Sequence, residues 1–167
     1  MLFQLIPAFL VTNFSASNSV IGDTSALMGF CWILGSVLLY KVFLPYVRIK
    51  VLLVLEAILF GMGVIICAFL HERFLFVAVL GASVMIASFG WPLCTGIISN
   101  AVYGEMQGKI LGLSQSVQSL AMMLGPLIVA PFLSKDSLIP FFIAAGFSLV
   151  FGILVLLTKI QEHFHPD

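Results

Sequence analysis

Apolar residues fill this chain in long blocks, and the polar residues between them are too few to form a second layer of structure. A helix needs about 20 predominantly apolar residues to cross the hydrocarbon of a bilayer. The blocks 25–44, 51–70, 74–98, 110–133 and 138–158 reach that length. Residues 1–12 are also apolar, but the segment is too short to span and reads as the last turns of a helix whose beginning is absent. No Lys or Arg precedes it, so it lacks the basic start of a signal peptide. Residues 13–23 carry Asn, Ser and Gly and read as a loop, with Asp23 placed to cap the helix that follows. The linkers 41–50, 71–73, 99–109 and 134–137 are too short to hold a separate domain, and 159–167 is a hydrophilic tail.

The blocks differ in how polar residues are placed within them. In the stretch 108–131, Ser114, Gln115, Gln118, Ser119 and Met122 share one arc of a helix, and Ser116 adds a further hydroxyl. Ile110, Leu113, Val117, Leu120, Ala121, Leu124, Leu127 and Ile128 share the opposite arc. An unpaired polar group in hydrocarbon costs several kcal/mol, so the Gln/Ser arc is expected to face protein or a watery cavity. Gly125 and Pro126 are expected to break the helix late in the crossing, since proline lacks the backbone donor. In block 74–98 and just beyond it, Ser88, Trp91, Thr95 and Ser99 share a face, with Pro92 beside them as a second expected break. In block 25–44, Ser25, Gly29, Trp32 and Ser36 do the same. The competing reading is that the hydroxyls and amides only bind helices together, and that Trp32 and Trp91 only fill helix contacts.

The remaining blocks, 51–70 and 138–158, are apolar nearly all round, interrupted by Glu56 and Ser148, and are expected at the lipid edge. Glu56 follows Lys50 by about 9 Å of helix, so pairing with Arg48 or Lys50, or reaching back to the interface, is expected of it.

Composition agrees with this pattern and narrows the class. Hydrophobic residues make up 62 % and charged residues 8 % of the chain, against roughly 25 % charged in a soluble domain. The net charge is zero, which gives no attraction for nucleic acid. Cys31, Cys67 and Cys94 fall in separate apolar runs and read as small apolar residues. His71, His163 and His165 lie in a linker and the tail, so neither a metal site nor a cofactor is expected. No His lies inside a block to act as a base, and an intramembrane enzyme is therefore not expected. Lys41, Arg48, Lys50, Lys109 and Lys159 fall on one side of the alternating linkers, and Arg73 and Lys135 on the other. Excess basic residues mark the cytoplasmic side, which places the C-terminus there.

The run from Pro92 through Ser99-Asn100-Ala101-Val102, Glu105-Met106-Gln107-Gly108-Lys109, Leu111-Gly112-Leu113-Ser114-Gln115-Ser116-Val117-Gln118-Ser119-Leu120-Ala121 and Gly125-Pro126 resembles the major facilitator superfamily. The likeness is to the tenth and eleventh helices of its drug–proton antiporter, tetracycline-efflux-like branch. It implies an all-α, polytopic membrane helix bundle, half of a major-facilitator-type fold: the end of helix seven plus helices eight to twelve. It further implies a secondary carrier exporting a small molecule, of unknown identity, in exchange for protons. The expected partners are a lipid bilayer, that of a bacterial inner (plasma) membrane, and a missing six-helix N-terminal half on the same or a separate chain. Gln115, Gln118, Ser119, Ser88, Trp91, Thr95 and Trp32 would then bound the substrate path. The 41–50 loop departs from the family, keeping Leu44-Pro45, Arg48 and Lys50 without the acid and glycines of the family's gating motif. The alternative function is a non-transporting membrane interaction protein or a truncated, inactive fragment.

Overall fold

A computed structural model describes residues 2–102, 104, 106–132 and 137–158. Glu105, Ser134, Lys135, Lys159, His163 and His165, invoked above, lie outside the described residues. The chain is helical: α1 Leu2–Phe14, α2 Asn18–Leu38, α3 Ile49–Ala68, α4 Arg73–Ala87, α5 Gly90–Asn100, α6 Met106–Val129 and α7 Ile139–Leu157. A wider helical turn, Leu39–Phe43, extends α2, and a tighter one, Ala130–Phe132, ends α6. With α4 and α5 taken as one crossing, 5 helices are long and apolar enough to span a bilayer. The protein is an integral, multi-pass, all-α membrane helix bundle.

The expected loop 13–23 shrinks to a sharp corner. Ser15 adopts φ 48°, and its N–H and that of Ala16 donate to the carbonyls of Val11 and Leu10 at 3.1 and 3.2 Å. These bonds satisfy the exposed end of α1, as left-handed helix caps do. The next helix begins at Asn18, so Asp23 is an exposed residue inside α2 and not its cap. Polar residues survive in this turn because the hydroxyls bond back to their own helix: Thr24 to Val20 O at 2.7 Å and Ser25 to Ile21 O at 2.8 Å.

The helix α3 keeps an exposed apolar face, with Val51, Leu55, Ile58, Leu59, Met62 and Ile66, but it is not peripheral. It lies between α7 on one side and α4 on the other, and also touches α5. Its buried residues, Ile49, Leu52, Leu53, Ala57, Gly61, Val64 and Cys67, repeat every three or four positions along its whole length. Hydropathy alone does not distinguish a helix wrapped by lipid from one wrapped by other apolar helices. The outer helix is α7, with Phe147, Val150, Ile153, Leu154 and Leu157 exposed and a single buried face toward α3.

Small residues set these contacts. Ala57 and Gly61 of α3 meet Ala145, Ser148 and Gly152 of α7, and a Cβ built on Gly152 would sit 3.1 Å from the Ala57 Cβ. On the other side, Gly63 of α3 faces Ser83 of α4, and Gly35 of α2 faces the Met85 carbonyl and Ser88. Without a hydrophobic drive between helices in lipid, such close backbone approach supplies van der Waals contact.

Two apolar clusters close the ends of this body. One joins Ile6 and Leu10 of α1 with Met28, Val64, Phe76, Leu80 and Phe141. There the Phe9 ring stacks on Phe76 at 5.2 Å and stands edge-on to Phe141 at 4.8 Å. The other joins Ile49, Leu52 and Leu53 with Leu93 of α5 and Val155 of α7.

Candidate functional site

The α4–α5 crossing is interrupted where a proline cannot complete the helical ladder. Pro92 has no N–H to give to the Ser88 carbonyl, four residues back. Just ahead of it, the turn tightens: the Phe89 N–H donates to Ile86 O at 3.1 Å. In an unbroken α-helix the Ile86 carbonyl would accept from Gly90. The side-chain carboxyl of Glu56, on α3, lies against Gly90 at this point, within reach of its N–H.

This contact requires glycine. A Cβ at position 90 would lie 2.6 Å from Glu56 Oε2 and 2.9 Å from its Cδ, closer than nonbonded atoms approach. Oε2 itself is buried with no hydrogen-bond partner among the described residues. Cys94, one turn further along α5, lies within electrostatic reach of the same carboxyl.

Glu56 is expected to pair with Arg48 or Lys50, or to reach back to the interface; the structure instead sets its carboxyl against Gly90. Six residues on from Lys50, at 100° each, is about 240° round the helix, so the two side chains leave α3 in different directions. Lys50 Nζ donates to the carbonyls of Leu156 and Thr158 at 2.8 and 3.0 Å, closing the end of α7. Those carbonyls belong to the last turn, where a cation is favoured by the helix dipole.

The residues proposed to bound a path fall into two groups. Ser88 and Trp32 belong to the packed body. Ser88 is fully buried, donates to Met85 O at 2.7 Å and sits under Gly35. Trp32 is half-buried against the first apolar cluster. The others lie on adjoining helices outside that body. Trp91 of α5 is exposed, and Thr95 donates to its carbonyl at 2.8 Å. On α6, Gln115 and Ser119 are exposed and Gln118 is half-buried, with Ser119 donating to Gln115 O at 2.9 Å.

The helix α6 is the least covered of the crossings. Its buried residues are Gly125 and Val129. Its apolar arc is as open as its polar one, with Leu113 and Val117 each 61 % exposed. The helix does not end at Gly125 and Pro126; it continues through both to Val129 and tightens only at Ala130, just ahead of Pro131. A proline costs one ladder bond, and a helix with regular turns on both sides can carry that loss. At its start, α6 is tied to the end of α5 by the Gln107 amide, which donates to Ser99 O at 3.1 Å and to the Ser99 hydroxyl. Gly104, at φ 63°, makes the turn between them.

No protein-family model, curated protein or solved structure matches this chain.

Its function is therefore argued from its own features. The contact between Glu56 and Gly90 escaped the sequence reading, although each half left a trace: an acid inside an apolar block, and a Gly-Trp-Pro triplet inside another. Among the described residues, no three His, Cys, Asp or Glu side chains gather as a metal site would require.

Proposed function

We propose that this chain forms one helical half of a secondary carrier of the facilitator type, exporting a small molecule across a bacterial inner membrane in exchange for protons, with its C-terminus in the cytoplasm. The observation behind this reading is α6. It is long and apolar enough to cross a bilayer, yet the chain leaves the Gln115 side chain uncovered in the middle of it. Amides and hydroxyls at membrane depth need a protein partner or water. A second bundle, on the same or a separate chain, would face α5 and α6 and enclose a polar path between the halves. Carriers built from two such repeats bind substrate at the interface and rock one repeat against the other.

The basic residues Lys41, Arg48, Lys50 and Lys109 support the assigned orientation. The specific assignment to the proton-coupled efflux branch rests on the resemblance around Gln115–Ala121.

Thiol accessibility in a reassembled carrier tests the path. Single cysteines at positions 115 and 118 are expected to react with membrane-impermeant reagents, and cysteines at 113 and 120 to stay protected. The reverse pattern would turn the Gln/Ser arc toward lipid and end this reading.

A further inference from the structure

We propose that Glu56 is a positioning residue that fixes the angle between the two halves of the broken crossing, and so holds α5 and α6 against the rest of the bundle. Its bearing on transport rests on the reading of α5 and α6 as one wall of the path.

The argument begins with where each helix finds support. The body is α2, α4, α3 and α7, packed side by side through small residues. The helix α6 takes its main support from α5, and α5 touches the body chiefly through α3. The two helices therefore form an arm, tied together by Gln107 and Ser99 at their far end. Its root is the turn at Ser88 and Phe89, where Pro92 has removed a ladder bond.

At that root the Glu56 carboxyl is seated against Gly90, within reach of its N–H. Leu93, one turn on, packs with Leu52 and Leu53 of α3, which sets the distance but not the direction of the arm. The directional contact is the seat of the carboxyl on Gly90. An acid this far into an apolar helix is costly in a bilayer and is found where it does something. Here its carboxyl fills the space left by the missing side chain of Gly90 on another helix.

Pulsed electron–electron distance measurements on the full chain in lipid bilayers test this directly. Spin labels go on Val117→Cys in α6 and Ile153→Cys in α7, both exposed, with Cys31, Cys67 and Cys94 replaced by alanine. The wild type and Glu56→Gln, which keeps the acceptor oxygen, are expected to give the same narrow distance distribution. Glu56→Ala removes the acceptor, and Gly90→Ala displaces it. Both are expected to broaden the distribution or add a second population. Wild-type distributions in both alanine variants, or loss of the narrow distribution in Glu56→Gln, would overturn the proposal.

Hydrogen exchange on the unsubstituted chain reads the same contact without a variant that must fold. The Gly90 amide, covered by the Glu56 carboxyl, is expected to be protected, and rapid exchange there would refute the contact. Flux through a complete carrier is a separate readout. A loosened arm with unchanged flux would remove the path reading and leave the hinge. An arm that does not loosen would remove the hinge and leave the path reading as it stands.

Discussion

The Ser148 hydroxyl of α7 donates to the Ala57 carbonyl of α3 at 2.8 Å, in the buried centre of the contact between the two helices. Ala57 O is already available to its own helix, so the hydroxyl adds a cross-helix tie to a carbonyl that carries a second lone pair. The site is lined by Gly61, Ala145 and Gly152. Removing the donor by Ser148→Ala keeps the Cβ, which would lie 3.7 Å from a Cβ placed on Gly61. The expected loss is about 0.6–1.7 kcal/mol, the range for such bonds within membrane bundles. Reversible unfolding in mixed micelles measures it. A variant as stable as the wild type would show that packing alone holds α3 to α7.

Glycines along α2 separate close approach from mere tolerance. Gly35 faces the Met85 carbonyl so closely that any Cβ meets backbone, whereas Gly29, two turns earlier, has nothing within 4 Å. Backbone cannot rotate aside as a side chain can. Gly35→Ala is expected to force α2 off α4 and to cost about 1–3 kcal/mol or more. Gly29→Ala is expected to be neutral or stabilising by up to about 1 kcal/mol, through helix propensity. The two variants differ by one methyl on one helix, so their unfolding curves compare directly.

Lys50 supplies a third test. Its ammonium joins the start of α3 to the last carbonyls of α7. Lys50→Met keeps much of the stem and removes the donors. The end of α7, from Val155 to Thr158, is expected to exchange its amide hydrogens faster, while the middle of the helix around Ser148 keeps its protection. Lys50→Arg retains the positive charge and donors and is expected to restore part of the protection.

The spans were legible in the sequence because a bilayer demands a block length that few other structures share. The outer face of α7 followed from the same rule. The central place of α3 did not, because the residues that mark it, Ala57, Gly61 and Gly63, are small and apolar in either setting. What separates the two cases is which helix meets it, and hydropathy carries no record of that. The acid in α3 was visible; its neighbour was the bare backbone of Gly90 on another helix, which hydropathy does not announce. The early start of α2 at Asn18 was hidden by residues that favour loops, since Thr24 and Ser25 satisfy their hydroxyls within the helix. The run through Gly125 and Pro126 shows the converse: residues that usually interrupt a helix lie inside one.

The amides of α6 give the prediction closest to function. Gln115 is exposed and Gln118 half-buried, and Ser119 spends its hydroxyl on the Gln115 carbonyl. The two side-chain amides therefore remain the longest polar reach from this helix toward whatever covers it. In a carrier containing this chain, Gln115→Leu is expected to lower flux while membrane abundance stays unchanged, since the side chain packs against little in its own bundle. Loss of one hydrogen bond of about 1.4 kcal/mol to substrate or path water corresponds to about a tenfold drop at low substrate. Leu113→Ala, on the opposite arc of the same helix, is the control and is expected to leave flux near the wild-type level. Equal flux in Gln115→Leu at equal abundance would remove that amide from the path, and equal losses in both variants would point to the helix as a whole instead of its polar arc.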